Sequence, residues 1–155
     1  MEYIEELGRA LSEAEIAALE LRVGCRLPES YRNFLLKFNG GRPAPYMQVV
    51  DIENLPGGDT DVMMFFGIDR SVKSSTIDWN LSALEERIGE QLLPIARDSG
   101  GNRFCINLSK NDFGSVVYCD FEPGFGFHAS DSAIYYRVAP DFDSFLDRIR
   151  SLEHN

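Results

Sequence analysis

A chain of 155 residues with 44% hydrophobic residues, 11 Phe and 6 Tyr is the size of one domain, and it carries enough apolar material for one core without a disulfide or metal staple. Its net charge is −10, from 15 Lys plus Arg against 25 Asp plus Glu. A nucleic-acid backbone and an anionic membrane leaflet both repel such a surface, so neither is an expected partner; a basic protein or a cation is, unless the charge serves solubility alone.

The first segment, MEYIEELGRA, has neither a basic start nor a continuous apolar stretch, and no apolar run nears the roughly 18 residues of a membrane span. A cytoplasmic protein is expected. Ser12-Glu13-Ala14-Glu15 reads as a capping box, in which a hydroxyl and a carboxylate satisfy each other's free backbone N–H groups. It opens a helix with Ile16, Leu19 and Val23 on one face, stopped at Gly24. Pro28 starts a second helix, at a position where its missing N–H costs nothing. Tyr31, Phe34, Leu35 and Phe38 follow helical spacing, and Asn39-Gly40-Gly41 ends the run.

Strands are predicted over 46–52 and 62–68, separated by the turn-rich stretch 54–59. Residues 78–89 read as a helix with Leu81, Leu84 and Ile88 inward. Three strands follow, over 92–97, 103–108 and 115–121, the last two joined by a tight turn at 111–114. A strand over 134–138 and a helix from about Asp141, with Phe142, Phe145, Leu146 and Ile149 on one face, complete the chain. The order predicts one α+β domain over 1–155, a mixed or mainly antiparallel sheet with helices packed on it. Phe34, Leu35, Phe104, Ile106, Phe145 and Leu146 are the expected core.

No constellation points to catalysis. The two histidines, His128 and His154, stand apart from any nucleophile motif, and Cys119 with His128 lacks supporting spacing. Asp98, Asp120 and Glu122 could form a carboxylate pair, although a chain with 25 acids produces such pairs by coincidence. The turn 98–102 is glycine-rich but has no phosphate-loop Lys and precedes no helix, so Gly101 and Asn102 read as turn residues. Cys25, Cys105 and Cys119 have no metal-ligand spacing, and no calcium loop exists, so no metal or cofactor is expected.

The charge excess sits in two stretches. Residues 39–69 hold five acids against Arg42, and residues 111–147 hold seven against Arg137. Between 122 and 128, Phe125 and Phe127 lie in a glycine-rich loop, either as an exposed anchor or turned inward over a sheet end. If the strands pair as hairpins, Asp59, Asp61, Asp98, Asp120 and Glu122 gather around these rings as a charged rim for a partner.

The motifs together resemble those of the SUKH superfamily, which includes fungal cell-wall-synthesis regulators of Smi/Knr type and bacterial immunity proteins. Leu27-Pro28, Tyr31, Phe34-Leu35 and Asn39-Gly40-Gly41 are similar to its opening motif. Leu93-Pro94-Ile95-Ala96, Asp98, Gly101-Asn102 and Phe104-Cys105-Ile106 are similar to its central one. Val116-Val117-Tyr118 with Asp120, and the helix 142–146, follow in order. The resemblance spans about 13–150 and implies an α+β fold without catalytic residues. In bacterial members it implies binding to a toxin domain of nuclease or deaminase type. Pro28, Gly40, Gly41, Gly101 and Asn102 are then structural.

Overall fold

The computed structural model describes residues 1–121 and 133–152. It shows an α+β fold of four helices and three antiparallel sheets. Helix α1 (Glu13–Val23) begins at the capping box, with both reciprocal bonds formed, and ends at Gly24 in the left-handed conformation. Helix α2 (Glu29–Phe38) begins one residue later than the sequence suggests, with Pro28 as its N-cap, and the Pro28 carbonyl accepts from Tyr31 and Arg32. Asn39, rather than a glycine, is the left-handed cap of α2. Its short polar side chain tolerates that conformation because it bonds locally.

That side chain is one of the fold's fixed points. Asn39 is buried, accepts from the Ile68 N–H at 2.7 Å, and donates to the carbonyls of Ile68 and Arg9 at 2.8 and 3.2 Å. The following Gly41, at φ 131°, lies so close to the strand beside it that a Cβ would stand 2.4 Å from Ile4 Cγ2. A side chain at Gly40 would likewise meet the Phe65 carbonyl at 2.7 Å. The Asn-Gly-Gly stop therefore does two things: it ends α2 and admits neighbouring backbone.

The central sheet runs β5-β6-β7-β8-β9, with β5 at Met64–Phe65, β6 at Leu92–Arg97, β7 at Arg103–Asn107, β8 at Val116–Asp120 and β9 at Ile134–Ala139. Pro94 stands inside β6, which is paired on both sides, and the register shifts beside it. A bulge is where such a strand can tolerate a missing N–H. A second sheet orders β10 (Arg150–Ser151), β3 (Gln48–Asp51) and β4 (Asp59–Asp61). The third pairs β1 (Tyr3–Glu5) with β2 (Arg42–Ala44). Tyr46 takes a positive φ of 58°, which no extended strand accommodates, so the strand expected over 46–52 starts two residues later, at Gln48. Part of the expected turn at 54–59 is strand, since Asp59 opens β4.

Helices α2 and α4 (Phe142–Arg148) cover one face of the central sheet. Phe34 packs edge-on against Phe142 at 5.0 Å and tilted against Phe65 at 4.8 Å, and Phe145 meets Phe104 at 5.2 Å. Each such ring, once buried, contributes about 1.5–3 kcal/mol. Phe34, Leu35, Phe104, Ile106 and Phe145 are buried as expected, whereas Leu146 is only half-buried at the cluster's border. The opposite face carries a smaller cluster of Cys105, Cys119 and Ala133, bordered by Ile88, Leu92 and Phe121.

Helix α3 (Ile77–Ala83) joins the main cluster through Ile77 and Leu81 and is anchored by buried Asn80, whose Oδ1 accepts from Arg103 Nε at 2.9 Å. It stops six residues before the expected end. Glu85 and Glu86 follow it, and acids oppose the negative C-terminal end of a helix dipole. The chain turns through 84–90 instead, burying Leu84 and leaving Leu81 and Ile88 half-buried.

Candidate functional site

The turn 98–102, between β6 and β7, holds the densest polar network among the described residues. Asp98 is 3% exposed. Its Oδ2 accepts from the Tyr118 hydroxyl at 2.6 Å and from Thr60 Oγ1 at 2.9 Å, and its Oδ1 accepts from the Asn102 N–H at 2.8 Å. Asn102 donates to the Tyr118 oxygen at 2.9 Å and accepts from the Phe121 N–H, also at 2.9 Å. Gly101, at φ 89°, allows the turn to close. Burial first, then the adjacent Asp98 carboxylate, pushes the Tyr118 phenol well above its ordinary range. Asp98 thus binds β4 and β8 to the turn from inside, and its carboxylate does not stand on the surface where a partner rim was expected. The reason is the supply of donors: three protein groups outbid water for it.

Asp61 is half-buried and accepts from both the N–H and the hydroxyl of Ser99 at 3.0 Å. Asp59 is exposed and lies opposite Asp51 in the β3–β4 register, a pairing of like charges that is unfavourable alone. Arg150 of β10 answers it, at 3.0 Å from Asp51 and 3.5 Å from Asp59. Asp120 is half-buried at the end of β8, opposite Ile134, and shares a strand face with Tyr118. Through the Asp61–Ser99 and Asn102–Phe121 bonds, β4, the turn 98–102 and the end of β8 come together. Glu122, Phe125, Phe127 and His128 lie outside the described residues.

Cys119 is buried, 3.7 Å from Cys105 between sulfurs, and burial pushes the Cys105 thiol far up. A thiol so placed is a poor nucleophile. Among the described residues no group of three or more His, Cys, Asp or Glu is placed to hold a metal ion, and no helix is long and apolar enough to cross a membrane.

Two features escaped the reading of the sequence. The first is the ion cluster on α2, where Arg32 is 8% exposed and reaches Glu20 at 3.3 Å and Glu13 at 3.1 Å. Burial pushes the Glu20 carboxyl up, but the Leu27 N–H at 2.7 Å and Arg32 together hold it below its usual range. The second is the acidic turn Glu85, Glu86 and Glu90, which has no ion pair among the described residues. Arg87, within that turn, lies over the Phe121 ring at 4.4 Å. The net charge of a whole segment hides such local excess.

Comparison with known proteins agrees with this architecture. The SPbeta prophage-derived uncharacterized protein YokK of Bacillus subtilis (strain 168) is 27% identical over 149 residues, covering 85% of this chain and 71% of its own length. The helix stop at Asn39-Gly40-Gly41, the Asp98–Asn102 turn and the closing helix α4 all fall within residues 10–148, and over that span the chain matches, and belongs to, the SMI1 / KNR4 family (SUKH-1).

Proposed function

We propose that this chain is an immunity protein: without catalysis of its own, it binds a cognate toxin domain of nuclease or deaminase type and blocks that domain's active site. Membership of SUKH-1 carries the reading. The net charge of −10 supports it, because an enzyme that grips nucleic acid has a basic groove, and an acidic protein associates with such a groove quickly and in a salt-sensitive way. The prophage origin of the Bacillus relative fits a gene from a conflict system. The proposed contact rim is Asp59, Asp61, Asp120 and Glu122 around Phe125 and Phe127.

The test is co-expression with the toxin-domain product of the adjacent gene. Restored growth together with co-purification is the expected result; growth arrest despite soluble expression of both chains rejects immunity. A variant with Asp59→Asn, Asp61→Asn, Asp120→Asn and Glu122→Gln should associate about tenfold more slowly at low salt. An unchanged rate removes this rim as the contact surface. The fungal regulators that give the family its name support a second reading, a regulatory scaffold without toxin neutralisation. A locus with no toxin-domain gene next to it favours that reading.

A further inference from the structure

The early end of α3 opens a hollow of about 310 Å³ between the C-terminal end of α1, the turn 84–90 and the start of β6. Leu84 and Leu93 are buried at its floor, and half-buried Leu81, Ile88, Leu92 and Leu108 form its walls. The volume is about ten times that of one water molecule, enough for a large apolar side chain. Glu85 and Glu90 stand at its rim, with Glu86 beside them. Arg22 also lines it, but its charge is met by Asp78. Arg87 is held over Phe121. The rim is therefore apolar within and negative around.

We propose that this hollow is a docking site for a basic protein partner, receiving a leucine or phenylalanine side chain flanked by Lys or Arg. Charge complementarity selects this occupant. A neutral or anionic ligand would cover the rim carboxylates without pairing them, which carries a desolvation penalty. A second copy of this chain would set acid against acid. A basic segment buries its apolar anchor against the leucines while its cations pair Glu85 and Glu90, an apolar centre with a charged rim.

The inference rests on the reading of a basic partner, but its test needs no toxin, so either can fail alone. The probe is the peptide acetyl-Lys-Leu-Phe-Lys-amide, titrated into 15N-labelled protein at low salt, with Glu replacing both Lys in the control peptide. The basic peptide should produce saturable amide shifts over residues 81–93, and the control should produce none there. Gly89→Trp should abolish the shifts. A Cβ at Gly89 meets open space, so the ring can occupy the mouth of the hollow without displacing the core. Glu85→Gln with Glu90→Gln should weaken binding about tenfold. Should Gly89→Trp not fold, Ser82→Trp fills the hollow from the opposite wall and gives the same readout. Absence of saturable shifts over 81–93, equal shifts with the acidic peptide, or shifts undiminished in the Trp variant would overturn the proposal.

Discussion

The turns 98–102 and 84–90 are both acidic and flank the same strand, β6, yet their carboxylates live in opposite environments. Asp98 is enclosed by Thr60, Tyr118 and Asn102, so its charge is spent on internal donors. Glu85, Glu86 and Glu90 face solvent without an ion pair among the described residues. The difference is one of donor supply rather than of residue type. A carboxylate surrounded by oriented donors becomes part of the frame; one placed over leucines with no donor stays available to a cation from outside.

Three variants sharpen this contrast, and the largest effect is expected inside. Asp98→Ala leaves the Thr60 and Tyr118 hydroxyls and the Asn102 N–H without their acceptor, and should destabilise the protein by about 3 kcal/mol in urea unfolding. A loss below about 1 kcal/mol would show that water replaces the carboxylate freely. Glu20 lies between the extremes, because it is paired and mostly buried. Its folded carboxyl titrates below the unfolded value, so its stabilisation is complete above the ordinary pKa near 4.5 and is lost as pH falls through the folded value. Wild type should lead Glu20→Gln by about 1–2 kcal/mol at pH 7, and the lead should shrink below about pH 4.5. A lead independent of pH would mean the ion pair contributes nothing through its charge. Glu85→Gln with Glu90→Gln should change stability by less than about 0.5 kcal/mol at pH 7. A larger loss would mean the rim is structural after all.

The same contrast marks what was readable from residues alone. Features set by near neighbours were legible: the Ser12–Glu15 capping box, the Gly24 stop, and β6 from Leu92 to Arg97. So was the start of the last helix near Asp141, which the structure shows as its N-cap, accepting from a backbone N–H three residues on. Strands β1 and β2 were not, because each has three residues and is defined by a partner about forty residues away, Tyr3 against Ala44. Of the proposed rim, Asp59 and Asp61 carried a visible charge, but the answering Arg150 is distant in sequence. Nothing in the stretch around Asp98 announces that Tyr118 and Thr60 enclose it. Periodicity also carried the 78–89 helix past its end, because Leu81, Leu84 and Ile88 have helical spacing while the adjacent acids weaken the helix's last turn.

The two sulfurs behind the central sheet have a kinetic consequence. Cys105 and Cys119 are fully buried on neighbouring strands, and the Cys105 thiol is held protonated, so a thiol reagent reaches them only when this face of the sheet opens. Cys25, half-buried just after α1, has no such cover. One chain therefore carries both a clock and its reference. The labelling rate of the inner pair reports the opening of the sheet, and that of Cys25, slowed only by partial burial and the nearby Glu20 carboxylate, is the faster rate to set it against.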